Sequence, residues 1–183
     1  MATGTSAAEL VAALYRVEGK AEIVDGEVVL MSPTGGLHGR ASSNVLLSLR
    51  GYERRTGRGR AYGDNVGFLV DLPHRKSFSP DACFYVGPPP GPKFLSGAPL
   101  FAVEVRSEED YGPAAERAMA AKRADYFAAG TQVVWDVEVL REHWIGVYRA
   151  GAPETPTVYR RGQLADAEPA LSGWSFPVNE LFE

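Results

Sequence analysis

Two carboxylates and a lysine, far apart in the chain, could together carry out phosphoryl chemistry. Glu104 interrupts the apolar run Leu100–Val105, and Asp81 follows Pro80 at the start of another apolar segment. A carboxylate among apolar neighbours is costly unless a cation or a metal compensates its charge. Carboxylate oxygens suit Mg²⁺, and a lysine such as Lys122 can orient a water molecule or offset charge on a phosphate. Together these residues predict a site for metal-assisted phosphodiester hydrolysis.

Each of these residues also has an interpretation that involves no chemistry. An aspartate after a proline is common where a loop leads into a strand. Glu104 could face solvent with Ala102 while the alternate residues form the core. Lys122 could extend from the margin of its helix into water, although it falls in the centre of the face that carries Met119 and Tyr126. The combination of all three residues favours the functional interpretation.

Periodicity and turn signals predict the elements that precede these residues. Ser6 and Glu9 form a capping-box pattern, which indicates a helix from about Ala7 to Val17. The segment Glu22–Leu30 predicts a hairpin, because its central Asp-Gly pair can adopt the positive φ values of a tight turn. Apolar residues at three- and four-residue spacing then predict an amphipathic helix over His38–Thr56.

The remaining elements predict a mixed α/β architecture. Strands are expected at Asn65–Leu72, Asp81–Val86, Leu100–Val105, Gln132–Val139, Trp144–Tyr148 and Thr157–Tyr159. A helix is expected from Pro113 to Ala129, with proline in its first turn and Gly130 at its end. Helices before, within and after a run of strands predict one domain over residues 1–183, with a mixed central β-sheet flanked by helices.

The composition is that of an ordinary globular protein. The 183 residues are 45% hydrophobic and carry a formal net charge of −4, so affinity for nucleic acid must come from a local patch. The single cysteine, Cys83, excludes an intramolecular disulfide and a cysteine-based zinc cluster. No apolar run approaches the ~20 residues of a membrane span, and no signal segment is visible. We therefore expect a soluble, cytoplasmic protein without membrane contacts.

The stretch Arg40–Arg60 is the best sequence candidate for a DNA-binding surface. It contains six arginines and one acid, Glu53. Arg54, Arg55 and Arg58 are the predicted phosphate ligands, and the Gly-Arg-Gly-Arg segment that ends the stretch is expected to be mobile. Arginines at the C-terminal end of a helix also interact favourably with the helix dipole without any ligand, so both roles remain open here.

An ordered set of short motifs identifies a family resemblance. The motifs are Glu22–Glu27, Met31-Ser32-Pro33, His38, Pro80-Asp81, Val103–Ser107, Lys122, Tyr126, Gly130 and Val134-Trp135-Asp136. In order and spacing they resemble the Uma family of bacterial proteins, which are described as restriction endonucleases of the PD-(D/E)XK nuclease superfamily. The resemblance runs from about Leu10 to Val137 and extends weakly into the segment from Leu171 to Phe182. Each motif alone is short, but the ordered set is fairly specific.

The resemblance implies a restriction-endonuclease-like fold with a metal-dependent active site. Asp81 and Glu104 would be Mg²⁺ ligands, with Mn²⁺ as a substitute, and Lys122 would be the active-site lysine. In the usual superfamily pattern that lysine comes two residues after the glutamate, where this chain has Arg106, whereas the Uma pattern moves it to the following helix. By strand alternation Arg106 shares the face of Glu104, so it could pair with Glu104 or bind a DNA phosphate.

Two further positions match the family. Glu22 matches its early acidic residue and could complete the acidic cluster as a catalytic residue, or it could be an exposed carboxylate at the edge of the hairpin. His38 matches a position near the start of the second helix and is a candidate accessory residue that could contact phosphate or the acidic cluster. A polar residue at a helix start also has a capping role, and this interpretation is favoured for His38.

Residues and resemblance together predict a Mg²⁺-dependent DNA endonuclease that hydrolyses phosphodiester bonds, with duplex DNA as its partner. Because cutting both strands often needs two active sites, a homodimer is expected. The main alternative is a non-catalytic nucleic-acid-binding or assembly protein on a nuclease fold. A third candidate, a small-molecule phosphohydrolase, is encouraged only by the acidity of the chain.

Overall fold

The computed structural model describes residues 5–89 and 91–183, which include three α-helices. These are α1 (Ala7–Leu14), α2 (Gly36–Thr56) and α3 (Pro113–Ala128). α1 begins with the predicted capping box, in which Ser6 and Glu9 bond each other's backbone N–H groups. It ends at Leu14 rather than Val17, because the N–H groups of Arg16 and Val17 donate to carbonyls only three residues earlier. No helix in the described ranges is long and apolar enough to cross a membrane.

The strands build a mixed central sheet and three small sheets. They are β1 (Ala21–Val24), β2 (Glu27–Leu30), β3 (Arg60–Gly63), β4 (Phe68–Leu69), β5 (Ser77–Phe78), β6 (Ala82–Tyr85), β7 (Leu95–Ser96), β8 (Phe101–Val105), β9 (Val133–Glu138), β10 (Trp144–Arg149), β11 (Ala152–Arg160), β12 (Leu164–Asp166) and β13 (Ser175–Pro177). The central sheet has the order β11-β10-β9-β8-β6-β3. Only β8 and β9 are parallel neighbours in it, and α3 connects them. The predicted mixed sheet with flanking helices is therefore confirmed.

The strand predicted over Asn65–Leu72 is wrong in extent. Only Phe68–Leu69 forms a strand, and it lies in a small side sheet of order β5-β4-β7. The edge of the central sheet is formed instead by β3, which begins at Arg60 in the Gly-rich segment for which the sequence predicts mobility. The chain turns away after β3, where Asn65 has a positive φ of 62°. The apolar residues that suggested a strand therefore follow this turn.

The last predicted strand, Thr157–Tyr159, is part of the longer β11. β11 contains Pro153 and Pro156, which argue against a strand when only the sequence is considered. Because β11 is an edge strand that pairs only with β10, an N–H group missing on its open side costs no ladder hydrogen bond. The prolines also make this edge a poor template for further strand pairing.

Strand alternation gives the central sheet two faces with different covers. Along β8, Phe101, Val103 and Val105 belong to the core that contains residues of α2 and of the C-terminal segment. The alternate residues Ala102 and Glu104 lie on the other face, where Ala102 joins the core around Tyr126 of α3. The second face is the one on which the chain places its charged side chains.

The β1–β2 hairpin packs beside this second face. Its turn has the predicted geometry, with φ values of 50° at Asp25 and 79° at Gly26. Ile23 is fully buried, and its N–H donates to the Ser77 hydroxyl at 2.7 Å. This contact fixes the orientation of β1, the strand that carries Glu22.

The loop after β9 is organised around one carboxylate. Glu138 is 2% exposed and accepts hydrogen bonds from the backbone N–H groups of residues 140–143, at 2.6 to 2.9 Å, and from the Tyr111 hydroxyl at 2.5 Å. Burial raises the pKa of Glu138, but the donors outweigh it and lower this pKa from 4.5 to about 2. Glu138 therefore stabilises the fold in its ionised form.

Replacing Glu138 with glutamine should lower the free energy of unfolding at pH 7 by about 2–3 kcal/mol, because the amide group cannot accept all of these hydrogen bonds. Since the folded-state pKa lies below the unfolded one, the wild-type advantage is fully present above pH 4.5 and is lost as the pH falls towards 2. Urea denaturation at pH 7 and pH 3 measures this difference. Glu142→Gln, at an exposed neighbour, is the control and should behave as wild type; equal stabilities of Glu138→Gln and wild type at pH 7 would contradict the prediction.

Candidate active site

Three neighbouring strands carry carboxylates side by side on the face that α3 covers. Glu104 and Asp136 are direct partners in the parallel register of β8 and β9. The antiparallel register of β6 and β8 pairs Ala82 with Val103. One residue earlier, the Asp81 N–H donates to the Val103 carbonyl at 3.0 Å, so Asp81 lies opposite Glu104. The fold thus brings the two predicted carboxylates together.

Asp81 is buried, and both of its carboxylate oxygens have partners. Lys20 donates to Oδ1 at 2.5 Å, while Oδ2 accepts from the Val105 N–H at 2.7 Å and lies 3.1 Å from His38 Nε2. Burial raises the pKa of Asp81, but the hydrogen bond with His38 and the charge of Lys20 outweigh it, so the net shift is downward. Asp81 is therefore ionised at neutral pH.

Glu104 is half-buried, with 26% of its side-chain surface exposed, whereas the sequence predicts a buried carboxylate. Its Oε1 accepts from the Tyr126 hydroxyl at 2.6 Å, and its Oε2 accepts from Lys122 at 2.9 Å. Burial raises the pKa of Glu104, Lys122 opposes this, and the charges of Asp81 and Glu22 add to the rise, with a net upward shift. Burial and the nearby acids thus disfavour the ionised form of Glu104, and an added cation would favour it.

Lys122 joins two carboxylates that come from different parts of the fold. Its Nζ is 2.9 Å from Glu104 and 3.0 Å from Glu22 on β1. Glu22 also accepts from Arg75 at 2.6 Å and from the Ser79 N–H at 2.8 Å. Burial lowers the pKa of Lys122, but the carboxylates outweigh it and raise this pKa above its ordinary value. Lys122 is thus a permanently charged group at the site.

Burial and contacts exclude the solvent-facing positions that the sequence left open for three residues. Glu104 does not face solvent with Ala102, because Ala102 is completely buried and Glu104 points towards α3. Glu22 is not exposed at the edge of the hairpin, since it is only 2% exposed. Lys122 does not extend into water from the helix margin, because its ammonium bonds the two carboxylates described above.

Arg106 shares the predicted face of the sheet, but its partners are acids other than Glu104. It lies just beyond β8, and its guanidinium makes paired hydrogen bonds with Asp136, both at 2.8 Å, and with Glu116, at 2.5 and 3.2 Å. Asp136 also contacts Arg123 at 3.3 Å. Arg106 therefore belongs to a neighbouring ion-pair network and forms no ion pair with Glu104 in the described residues.

Sequence reasoning missed two cations that compensate the carboxylates, Lys20 and Arg75. Lys20 lies two residues before Glu22, so alternation along β1 was a signal that both share one side of the hairpin. Arg75 lies in the turn between two short strands, and only the tertiary fold brings it to Glu22. The capping role that the sequence favours for His38 is wrong, because Gly35 is the N-cap of α2 and the His38 side chain contacts Asp81.

A cavity of about 820 Å³ opens beside Asp81 and Glu104. The β1–β2 hairpin, the start of α2, the ends of the central strands and α3 all contribute to its lining, with seven acidic and five basic side chains. The excess of acids opposes the entry of an anionic phosphate unless a further cation is present.

The predicted DNA-binding arginines lie away from this cavity. His38 is in the first turns of α2, whereas Arg54 comes sixteen residues later, about 24 Å further along the helix axis. Arg54, Arg55 and Arg58 are exposed, and none forms an ion pair with a residue that the structure describes. They form a basic surface at the opposite end of α2 from the carboxylates.

Among the described residues, no three or more His, Cys, Asp or Glu side chains are grouped so that they could hold a metal ion. Asp81 and Glu104 are therefore a pair of oxygen donors and not part of a closed protein cage. A cation bound by such a pair would need its remaining ligands from water or substrate.

This sheet, its covering helices and the paired carboxylates define a nuclease-like fold. A crystal structure described as a putative nuclease belonging to DUF820, from Anabaena variabilis, superimposes on the chain with a TM-score of 0.72. The two are 16% identical, and the match covers 94% of this chain and 97% of that one. At this identity the likeness concerns the fold alone.

The sequence family defines the chain further. The profile of the Uma2 family, described as "Putative restriction endonuclease", matches residues 8–179. The chain therefore belongs to the Uma2 family, and the resemblance predicted from the motifs is confirmed. No curated protein matches the chain.

Proposed function

We propose that this chain is a metal-dependent endonuclease that hydrolyses phosphodiester bonds in DNA, with Mg²⁺ held by Asp81 and Glu104. The observation that carries the proposal is the pair of carboxylates on neighbouring strands, beside a large cavity and next to the ammonium of Lys122. Membership of the Uma2 family supports the reaction class.

The donor set fits Mg²⁺ on two counts. Mg²⁺ is commonly bound by one or two carboxylates and completes its octahedron with water and substrate phosphate oxygens. In addition, the pKa of Glu104 is raised by burial and then by its negative neighbours, so a cation would relieve unfavourable charge there. When bound, the ion would supply a water of lowered pKa and stabilise charge on the scissile phosphate.

Lys122 is the cation that the chain itself contributes to the reaction. Because its pKa is raised, it stays protonated and suits the stabilisation of phosphate charge or the orientation of a water molecule better than proton abstraction. Glu22 is a positioning residue in this scheme, since its carboxylate contacts the Lys122 ammonium at 3.0 Å in addition to Glu104. His38 is an accessory residue that holds Asp81 Oδ2.

Duplex DNA is the proposed partner, bound through the basic surface at the end of α2. At 3.4 Å per phosphate along one strand, the distance of about 24 Å along α2 corresponds to about seven nucleotides. A duplex that follows α2 could thus contact these arginines while a phosphate lies at the carboxylates. We also propose a homodimer, because two active sites would allow both strands to be cut.

Glu104→Gln should abolish metal binding and cleavage while the protein stays folded. Loss of a charged ligand removes several kcal/mol of transition-state stabilisation, so plasmid cleavage in Mg²⁺ or Mn²⁺ should fall more than ~100-fold. Calorimetric titration with Mn²⁺ should give heat of binding for wild type only. Plasmid, linear, branched and single-stranded DNA, assayed in parallel, identify the substrate.

Glu109→Gln is the matched control, because Glu109 is an exposed acid that lines the same cavity without contacting the carboxylate pair. It should bind Mn²⁺ and cleave as wild type does. Equal Mn²⁺ affinity of wild type and Glu104→Gln would remove the metal site. DNA binding without cleavage under every condition would favour the non-catalytic alternative.

Lys122→Met should abolish cleavage but leave much of the DNA affinity, because the change keeps the apolar stem and removes the charge beside Glu104. Arg106→Met should instead lower stability, since it leaves Asp136 buried with fewer partners. Cleavage rates, DNA affinity and melting temperature measured on both variants separate these effects. If Lys122→Met cleaves at the wild-type rate while Arg106→Met is folded but inactive, Arg106 and not Lys122 is the charged residue that assists cleavage.

Replacing Arg54, Arg55 and Arg58 with glutamine should weaken DNA binding and reduce its salt dependence. Three lost phosphate contacts make the log–log slope of affinity against salt shallower by up to about 3. Arg160 and Arg161, exposed at the opposite edge of the central sheet, provide a control double variant whose slope should not change. An unchanged slope in the triple variant would place the DNA surface elsewhere or favour a small-molecule substrate.

A further inference from the structure

Lys20 bonds two carboxylates at once at the rim of the site. Its Nζ lies 2.5 Å from Asp81 Oδ1 and 2.7 Å from Asp64 Oδ1. The two partners differ in environment, because the Asp81 side chain is 5% exposed and the Asp64 side chain is 48% exposed. One flexible cation is thus shared between a buried site residue and a residue open to solvent.

Of the groups that bond Asp81, Lys20 is the one that can leave. The Val105 N–H and His38 both contact Oδ2, and each is held in place by its secondary structure, β8 and α2 respectively. Lys20 contacts Oδ1 through four rotatable methylene groups, and Asp64 is already within reach as a second acceptor. A new ligand of Asp81 would therefore take the place of Lys20 on Oδ1.

A divalent cation and Lys20 would compete directly for this oxygen. The Lys20 ammonium is ion-paired with both Asp81 Oδ1 and Asp64 Oδ1. Two positive groups at one carboxylate oxygen repel each other strongly in a partly buried place. Binding of the ion therefore requires the ammonium to move away.

We propose that Lys20 is an internal competitor of the catalytic cation: its ammonium bonds both Asp81 Oδ1 and Asp64 in the metal-free protein, and it gives up Asp81 and keeps Asp64 when a divalent ion binds. This inference rests on the proposed function, because it assumes the metal site at Asp81 and Glu104. Lys20 then keeps the buried carboxylate paired without metal and weakens the affinity of the empty site for metal. A DNA phosphate that supplies further ligands to the ion would offset this competition, so metal and DNA should bind cooperatively.

Calorimetric titration with Mn²⁺ in the absence of DNA tests the proposal. Lys20→Met removes the competitor and should tighten Mn²⁺ binding about tenfold. Asp64→Asn removes the negative charge of the second acceptor, which favours Lys20 on Asp81, and should weaken Mn²⁺ binding several-fold. Lys76→Met is the matched control, because Lys76 forms an ion pair with exposed Asp71 and does not line the cavity, and its affinity should equal that of wild type.

The outcomes separate this inference from the proposed function. If wild type binds Mn²⁺ and Lys20→Met binds it no more tightly, the competition is wrong and the metal site stands. If neither protein binds Mn²⁺, the metal site and the inference both fail. If Lys20→Met binds Mn²⁺ and wild type does not, the result would support the competition and would mean that Lys20 blocks the metal site in the absence of DNA. Because Asp64 is exposed, Asp64→Asn should fold even if Lys20→Met does not. A Mn²⁺ affinity of Asp64→Asn equal to that of wild type would then overturn the proposed movement of Lys20.

Discussion

The arrangement of this protein depends on one constraint: two carboxylates, Asp81 and Glu104, lie side by side on neighbouring strands in a partly buried place. Two negative charges that lie close together and are largely removed from water destabilise each other. The raised pKa of Glu104, which burial and then nearby acids produce, reflects both effects. The surrounding structure supplies positive charge and hydrogen-bond donors that compensate the pair. A metal ion in the proposed reaction would complete this compensation.

The compensating groups come from elements that are distant in sequence, and so they tie the fold together. Lys20 precedes β1, His38 belongs to α2 and Lys122 belongs to α3, yet all three contact the carboxylates. The hairpin, which is too short to be stable alone, is joined through Glu22 to Lys122 of α3 and to Arg75 in the segment before β5. The same contacts that hold these elements in place therefore position the groups of the site.

The charge distribution separates an acidic cavity from a basic surface. The cavity has more acidic than basic lining residues, whereas exposed arginines are concentrated at the far end of α2. An acidic cavity suits a cation and accepts a phosphate only with that cation, while a basic surface at a distance can hold a polyanion without disturbing the carboxylates. α2 connects the two regions, because His38 lies near its start and Arg54 lies near its end.

The sequence by itself determined most of the longer elements and the candidate residues, because periodicity, turn residues and a charged residue within an apolar run are local signals. Asp81, Glu104 and Lys122 were found in this way, and the hairpin turn at Asp25 and Gly26 has the predicted geometry. Tertiary structure decided the partners. Arg106 shares the predicted face but binds Asp136, Arg75 reaches Glu22 from a loop, and Asn65–Leu72 is mostly not a strand. Such pairings depend on which loops and strand ends meet in space, and no local pattern in the chain encodes that.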